Sequence, residues 1–313
     1  VNIVTVTLNA AIDQTIEVSH LVRGKVNRAG KVRSDAGGKG VNVASCLADW
    51  GSHGVVTGIL GRENAAIFEE LFAKKHLDDR FLRMAGPTRT NIKVVDDGET
   101  TDINLPGLNV SEADLHAVME AVKGATSEGG IAVLAGSLPE GCESAHYARY
   151  LAELPSRGLK VVLDASGPPL ASALAGSVLP FAVKPNRHEL AEWAGEPLED
   201  EASLLAAARR LHERGVALVV VSRGAEGALF VSAEGVRSAS FSLEPKFVAT
   251  TVGAGDAMVA GIVAGLCEGA DLSTIARIST AFAVAKLGTV GAHLPARAVV
   301  LDIASRIDVR SVA

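Results

Sequence analysis

The sequence predicts an α/β fold of three layers, α/β/α, with a mostly parallel central sheet and a small β-sheet lid. Three observations predict it. Short β-rich runs alternate with helical patterns almost from end to end, which is how parallel sheets covered on both faces are written. Hydrophobic residues make up 48% of the 313 residues but aromatic ones only 4%, a mixture that suits buried strands under Ala-rich helices better than an aromatic-filled sandwich. Two segments interrupt the alternation with polar–apolar patterns of their own.

Residues 1–8 read as a strand and 41–50 as a helix, then 54–61 as a strand and 64–75 as a helix. After an interruption, a strand at 131–134 precedes a helix at 144–154, and one at 160–163 precedes a helix at 169–174. A strand at 181–183 leads into helices at 189–195 and 201–214, strands follow at 216–221 and 228–231, and helices at 254–266 and 272–287 close the pattern. The interrupting strands are 15–18 with 29–33 and 90–95 with 100–105, the latter pair flanking Asp97-Gly98, a hairpin signal because both turn positions favour φ > 0. Inserted at about 13–35 and 89–106, they would form the lid, with one apolar face to cover against substrate or a second subunit. No linker, low-complexity tract or internal repeat divides residues 1–313, which read as one domain.

The balance of 30 basic against 36 acidic residues leaves a net charge of −6. That excludes the summed positive field on which non-specific nucleic-acid binding depends. No apolar run approaches the ~18 residues of a membrane span. The N-terminal stretch lacks a basic n-region and carries Asn9 and Asp13, so it reads as a strand and not as a signal peptide. Cys46, Cys142 and Cys267 are scattered without a CxxC pair and read as small buried hydrophobes in a reducing, cytoplasmic setting. The histidines show no metal-ligand spacing.

Two glycine-rich stretches carry the chemistry. In Thr251-Val252-Gly253-Ala254-Gly255-Asp256-Ala257-Met258, two glycines permit a sharp turn at a helix start, where several N–H groups and the positive end of the helix dipole converge. Such a cradle suits phosphoryl transfer, and an Asp within it can take a proton from an attacking hydroxyl. Alone, the stretch reads equally as a glycine turn with an Asp cap. It is not a dinucleotide fingerprint, because Met258 stands where the third glycine belongs, and no Gly-Lys in the chain is followed by Ser or Thr. In Gly37-Gly38-Lys39-Gly40-Val41-Asn42, three glycines and a lysine allow close backbone approach beside an anionic or hydroxylated ligand; a tight turn with a solvated lysine is the alternative.

Together these stretches resemble the ribokinase-like (PfkB) carbohydrate kinases, and the resemblance extends over essentially the whole chain. Further matches are Thr7-Leu8-Asn9 with Ile12-Asp13, Gly136-Ser137-Leu138-Pro139, Lys184-Pro185-Asn186 with Glu189-Leu190, and Ser222 with Gly224-Ala225-Glu226-Gly227. The resemblance implies a ribokinase-like fold and use of ATP and Mg²⁺; the lid, if its outer face is apolar, would pair with a second lid to make a homodimer. The opening segment, with Arg89-Thr90-Asn91-Ile92-Lys93, Thr101-Asp102-Ile103-Asn104 and Trp193-Ala194-Gly195, is similar to the phosphosugar branch, and within it to the members acting on D-fructose 1-phosphate. Tagatose 6-phosphate or fructose 6-phosphate as acceptor, and a non-catalytic sugar-phosphate sensor, are the alternatives. Ala10 stands where that branch usually has Pro, and Ala135 where Ser is common.

Carried over position by position, the resemblance assigns Asp13, Gly38, Lys39 and Asn42 to the sugar, with Arg89, Asn91, Asn104 and Ser137 completing the site and Arg28 as a further cation. Asp256 would deprotonate the acceptor hydroxyl while the backbone of Gly253, Ala254 and Gly255 holds the transferred phosphoryl group. Lys184 and Asn186 would lie along the phosphates. Asn186 and Glu189 would position Mg²⁺ through water, since that ion dehydrates reluctantly. Ser222, Gly224, Gly227 and Thr251 would shape the nucleotide side.

Overall fold

A computed structural model of the chain describes residues 1–96, 99–154, 158–242 and 250–313; the expected Asp97-Gly98 turn lies outside them. Strand β1 (Ile3–Thr7) is buried along its whole length. It pairs in parallel with β4 (Val55–Gly61) on one side and β9 (Ile131–Ala135) on the other. Parallel neighbours on both sides require crossovers and leave two faces to cover, and side chains alternate between them. Ile3, Val133 and Val162 enter the core on one face. Val4, Val6, Leu134 and Leu163 enter it on the other.

Beyond β9 the sheet continues in parallel through β10 (Lys160–Asp164), β11 (Ala182–Val183) and β12 (Leu218–Ser222). It then turns antiparallel through β13 (Ala228–Ser232), β14 (Gly235–Ser240) and β15 (Asp308–Val312). Short strands β5 (Asp78–Asp79) and β6 (Leu82–Met84) flank β4 at the opposite edge. Helices α3 (Glu112–Ala125), α4 (His146–Glu153), α5 (Gly167–Ala175), α6 (Arg187–Ala194) and α7 (Glu201–Glu213) cover one face. The other face is covered by α1 (Lys39–Trp50), α8 (Ala254–Cys267), α9 (Leu272–Leu287) and α10 (Arg297–Ser305). Helix α2 (Ala66–Lys74) packs Phe68 and Phe72 against Val41, Val56 and Leu60 in a smaller third cluster.

The second sheet has the order β3-β2-β7-β8, built from β2 (Ala11–Val18), β3 (Lys31–Gly37), β7 (Thr90–Asp96) and β8 (Glu99–Asn104). Its register sorts the side chains cleanly, because residues opposite one another share a face. Ile12, Ile16, Val32, Ile92, Val94 and Ile103 fall on one side, and Asp13, Thr15, Arg33, Asp35, Asn91 and Lys93 on the other.

The α/β layers and the lid sheet agree with the expectation from the sequence; α3, β14, α10, β15 and the short strands β5 and β6 were not expected. Helix α3 fills part of the second interruption, where no helix was expected. Its apolar stripe Leu115, Val118, Met119, Val122 has helical spacing, and its capping box pairs Ser111 with Asp114, one methylene shorter than the usual Glu. Strand β13, expected as a strand, lies against β12 as its antiparallel hairpin partner. The chain also continues past 287 into α10 and β15. Strand β15 is a half-exposed five-residue edge strand, DVRSV, whose pattern is too short to distinguish from a polar tail.

Candidate active site

The carboxyl ends of the parallel strands open on one edge of the sheet, and the order of the strands reverses between β9 and β1. A crevice there is where open α/β sheets take ligands. Asn9, just after β1, donates from Nδ2 to Ser137 Oγ at 3.1 Å and to the Leu138 carbonyl at 3.2 Å. The two loops at the switch point are thereby tied together, and Ser137 stands exposed beside them.

Two helices begin at this edge. Helix α1 follows Gly38, and a Cβ on Gly40 would fall 2.4 Å from Thr7 Oγ1 and 2.8 Å from the Val6 carbonyl. Only glycine lets α1 start so close to β1. Helix α8 follows Gly253, held at φ 79°, a left-handed conformation that favours glycine. Asn42, one turn into α1, donates from Nδ2 to Asp256 Oδ2 at 2.7 Å. Asp256 itself is 8% exposed.

Beside that pair lies Asp164, the last residue of β10 and 1% exposed, between Lys39 Nζ at 3.2 Å and Lys184 Nζ at 3.4 Å. Its Oδ2 is buried and, among the described residues, has no hydrogen-bond partner. Burial pushes the Asp164 carboxyl up, but the two ammonium groups more than offset this and hold it below the ordinary value. Asp256 goes the other way: burial, and then the charge on Asp164, raise its pKa against the opposing pull of Asn42, Lys39 and Lys184. The site therefore holds two carboxylates of different character, one locked as an anion and one whose basicity is enhanced.

The turn from Thr251 to Gly255 is a wall shared by two cavities. On one side Thr251, Ala254 and Gly255 join Ser222, Gly224, Gly227, Phe241, Met258 and Val284 around a mostly apolar cavity of about 360 Å³. On the other side Val252 and Gly253 join Asn42 and the polar face of the lid, with Asp13, Arg33, Asp35 and Lys93. Asp13 accepts from Asn91 Nδ2 at 3.3 Å and pairs with Lys93 Nζ at 3.7 Å. Arg89 uses its guanidinium on the carbonyls of Asn9, Ala10 and Leu105, and two of its five N–H groups remain for a ligand. Burial lowers its pKa and Asp13 partly restores it. Asn104 is exposed, in register with Asn91; Arg28 is exposed in the connection between β2 and β3 and does not line the cavity.

Asn186 and Glu189 form the capping box of α6. Asn186 Oδ1 accepts from the Glu189 N–H, and Glu189 Oε2 from the Asn186 N–H, each at 2.8 Å. Among the described residues no group of three His, Cys, Asp or Glu side chains is disposed to hold a metal directly. The unpartnered Asp164 Oδ2 and the second Glu189 oxygen fit an Mg²⁺ ion that keeps most of its water, and not one caged by protein.

Asp164, Lys93 and Arg33 were not among the site residues expected from the sequence. Asp164 had a signal, an acid at the carboxyl end of a buried parallel strand. Lys93 lies two residues beyond Asn91 and so on the same face of its strand. Arg33 has only its register opposite Thr15, which sequence does not reveal.

A family model described as pfkB family carbohydrate kinase matches residues 6–298. The chain is 50% identical over 291 residues to the 1-phosphofructokinase of Xanthomonas campestris, covering 91% of this chain and 90% of that protein. It is 47% identical over 299 residues to the 1-phosphofructokinase of Rhodobacter capsulatus, covering 94% and 92%. Among solved structures, phosphofructokinase-2 from Escherichia coli in complex with substrates and products superposes with a TM-score of 0.90 at 28% identity, over 97% of this chain and 99% of that one.

Proposed function

The chain belongs to the pfkB family of carbohydrate kinases, and within that family we propose that it transfers the γ-phosphoryl group of ATP to the 6-hydroxyl of D-fructose 1-phosphate, giving fructose 1,6-bisphosphate. The observation that carries this reading is the shared wall at 251–255. A nucleotide-sized apolar cavity lies on one side of it and a polar, cation-bearing cavity on the other.

In this reading ATP lies in the apolar cavity, with the adenine and ribose between Ser222, Gly224, Gly227 and Thr251, and the phosphates along Lys184 and Asn186. The sugar phosphate lies under the lid, its hydroxyls read by Asp13, Asn42, Asn91 and Asn104 and its phosphate by Lys39, Arg89 and Lys93, with Gly38 and Ser137 at the rim. Asp256 takes the proton from the 6-hydroxyl, and its raised pKa suits a general base better than an ordinary carboxylate does. The N–H groups at Gly253, Ala254 and Gly255 receive the charge that builds on the transferred oxygens. Mg²⁺, when bound through water near Asn186, Glu189 and Asp164, neutralises phosphate charge.

The lid supports assembly as a homodimer. Val32 and Ile103 are 54% and 48% exposed on its apolar face, and a second copy of the same face is the complement that would cover them. A cytoplasmic location fits the three cysteines, all unpaired.

The test is ADP release across fructose 1-phosphate, fructose 6-phosphate and tagatose 6-phosphate, with Asp256→Asn alongside. Fructose 1-phosphate is expected to have the highest kcat/KM. A clear preference for either 6-phosphate would reassign the acceptor within the family, and unchanged turnover in Asp256→Asn would falsify the mechanism.

A further inference from the structure

Lys286 lies in the last turn of α9 and is only 3% exposed. Among the described residues it makes no ion pair, and its Nζ donates to the Thr289 carbonyl at 2.6 Å. A buried lysine without a carboxylate is unusual, because desolvation of the ammonium is then uncompensated. The C-terminal end of the α9 dipole offsets part of that cost.

Its position suggests what offsets the rest. A Cβ built on Gly253 would fall 3.1 Å from Lys286 Cε and 3.8 Å from Nζ, so the ammonium lies directly behind the first residue of the phosphoryl cradle. The same contact is braced by the Thr250 N–H, which donates to the Leu287 carbonyl at 3.1 Å. Lys286 also lines the cavity that holds Asp13, Asn42 and Lys93. Burial lowers its pKa, and the charge on Asp256 partly draws it back up; the neighbouring Cys46 thiol, pushed up to about 12, carries no charge to pair with it.

We propose that Lys286 is a positioning residue, a tethered cation built into the back of the Gly253–Gly255 turn. It holds that turn in its left-handed start and supplies positive charge when the phosphoryl group arrives. The inference rests on the kinase reading above. Its partner is the anion in transfer, which accounts for an ammonium that, among the described residues, makes no ion pair in the resting chain. A cation that acts only while charge builds on the phosphoryl oxygens lowers the barrier more than it tightens the ground state.

The test compares Lys286→Ala and Lys286→Arg with Asp256→Asn, in ATP and fructose 1-phosphate, with and without ammonium chloride. Lys286→Ala is expected to lose about 10- to 100-fold in kcat, with both KM values within about threefold of the parent. Added ammonium, or Arg at 286, should recover a substantial part of the loss, which a merely structural lysine would not allow. A kcat within about threefold of the parent overturns the proposal, and so does a loss that neither ammonium nor Arg moves, with or without loss of folding. If Asp256→Asn is inactive while Lys286→Ala is not, only this inference falls; if Asp256→Asn stays active, the reading of the turn itself is wrong.

Discussion

Asn42 and Asp256 stand 214 residues apart in the chain, and a 2.7 Å hydrogen bond from the amide Nδ2 to the carboxylate Oδ2 joins them. That bond couples the starts of α1 and α8, and so couples the proposed sugar side of the site to the proposed phosphoryl cradle. A donor on a carboxylate favours its ionised form. Replacing Asn42 by Ala should therefore raise the pKa of Asp256 further. The expected result is a 10- to 100-fold fall in kcat/KM near pH 6, about what a hydrogen bond to a charged group contributes, with an acid limb moved to higher pH. A pH–rate profile on the two proteins checks it.

Asp256→Asn should leave the fold more stable at neutral pH although turnover is lost. The pKa of Asp256 is raised in the folded chain above its ordinary 3.8, so ionising it opposes folding. That cost is complete above the folded value, shrinks as pH falls through it, and vanishes below the unfolded value. The variant is expected to melt above the parent at pH 7 and to converge with it below about pH 4. Differential scanning calorimetry across that range reads the crossover.

Asp164→Asn should have the opposite effect. Its carboxylate is the partner of Lys184, 6% exposed, and of Lys39, 35% exposed and so partly screened by solvent. Removing it strands a buried ammonium, and breaking such a pair costs about 3–5 kcal/mol. Because the folded pKa lies below the ordinary value, this stabilisation is present above the unfolded pKa and lost as pH falls through the folded one. Urea titration at pH 7 and at pH 3 should show a large gap at the first and a smaller one at the second.

Gly253→Ala places a Cβ at φ 79° and 3.1 Å from Lys286 Cε. Strain at positive φ is about 1 kcal/mol, a modest loss for the fold. The same displacement at the cradle should lower kcat about 10-fold or more. A near-parental melting temperature with a reduced kcat is the expected pair of results.

Ile103→Glu puts a charge in the middle of the apolar lid face. If two lids pair there, the substitution should weaken the dimer by 100-fold or more, about 2.7 kcal/mol. Sedimentation velocity of the variant should show monomer at concentrations where the parent is dimeric. A parent that is monomeric throughout would remove the lid interface from consideration.

The alternation of strands and helices, the inserted lid and both glycine-rich turns were legible in the sequence, because each depends on local periodicity or on the need for glycine at a turn. So was Asp256, whose place in the first turn of α8 is set by the two glycines before it. Helix α3 is equally legible in the spacing of Leu115, Val118, Met119 and Val122, although no helix was expected there. The tertiary structure decided the rest. Asn42 reaches Asp256, Lys39 and Lys184 close on Asp164, and Lys286 backs Gly253 only because packing across the parallel sheet brings distant segments together. The return of β15 to β14 and the sorting of the lid into a polar and an apolar face depend on register, set by the pairing of whole strands and not by any short stretch of chain.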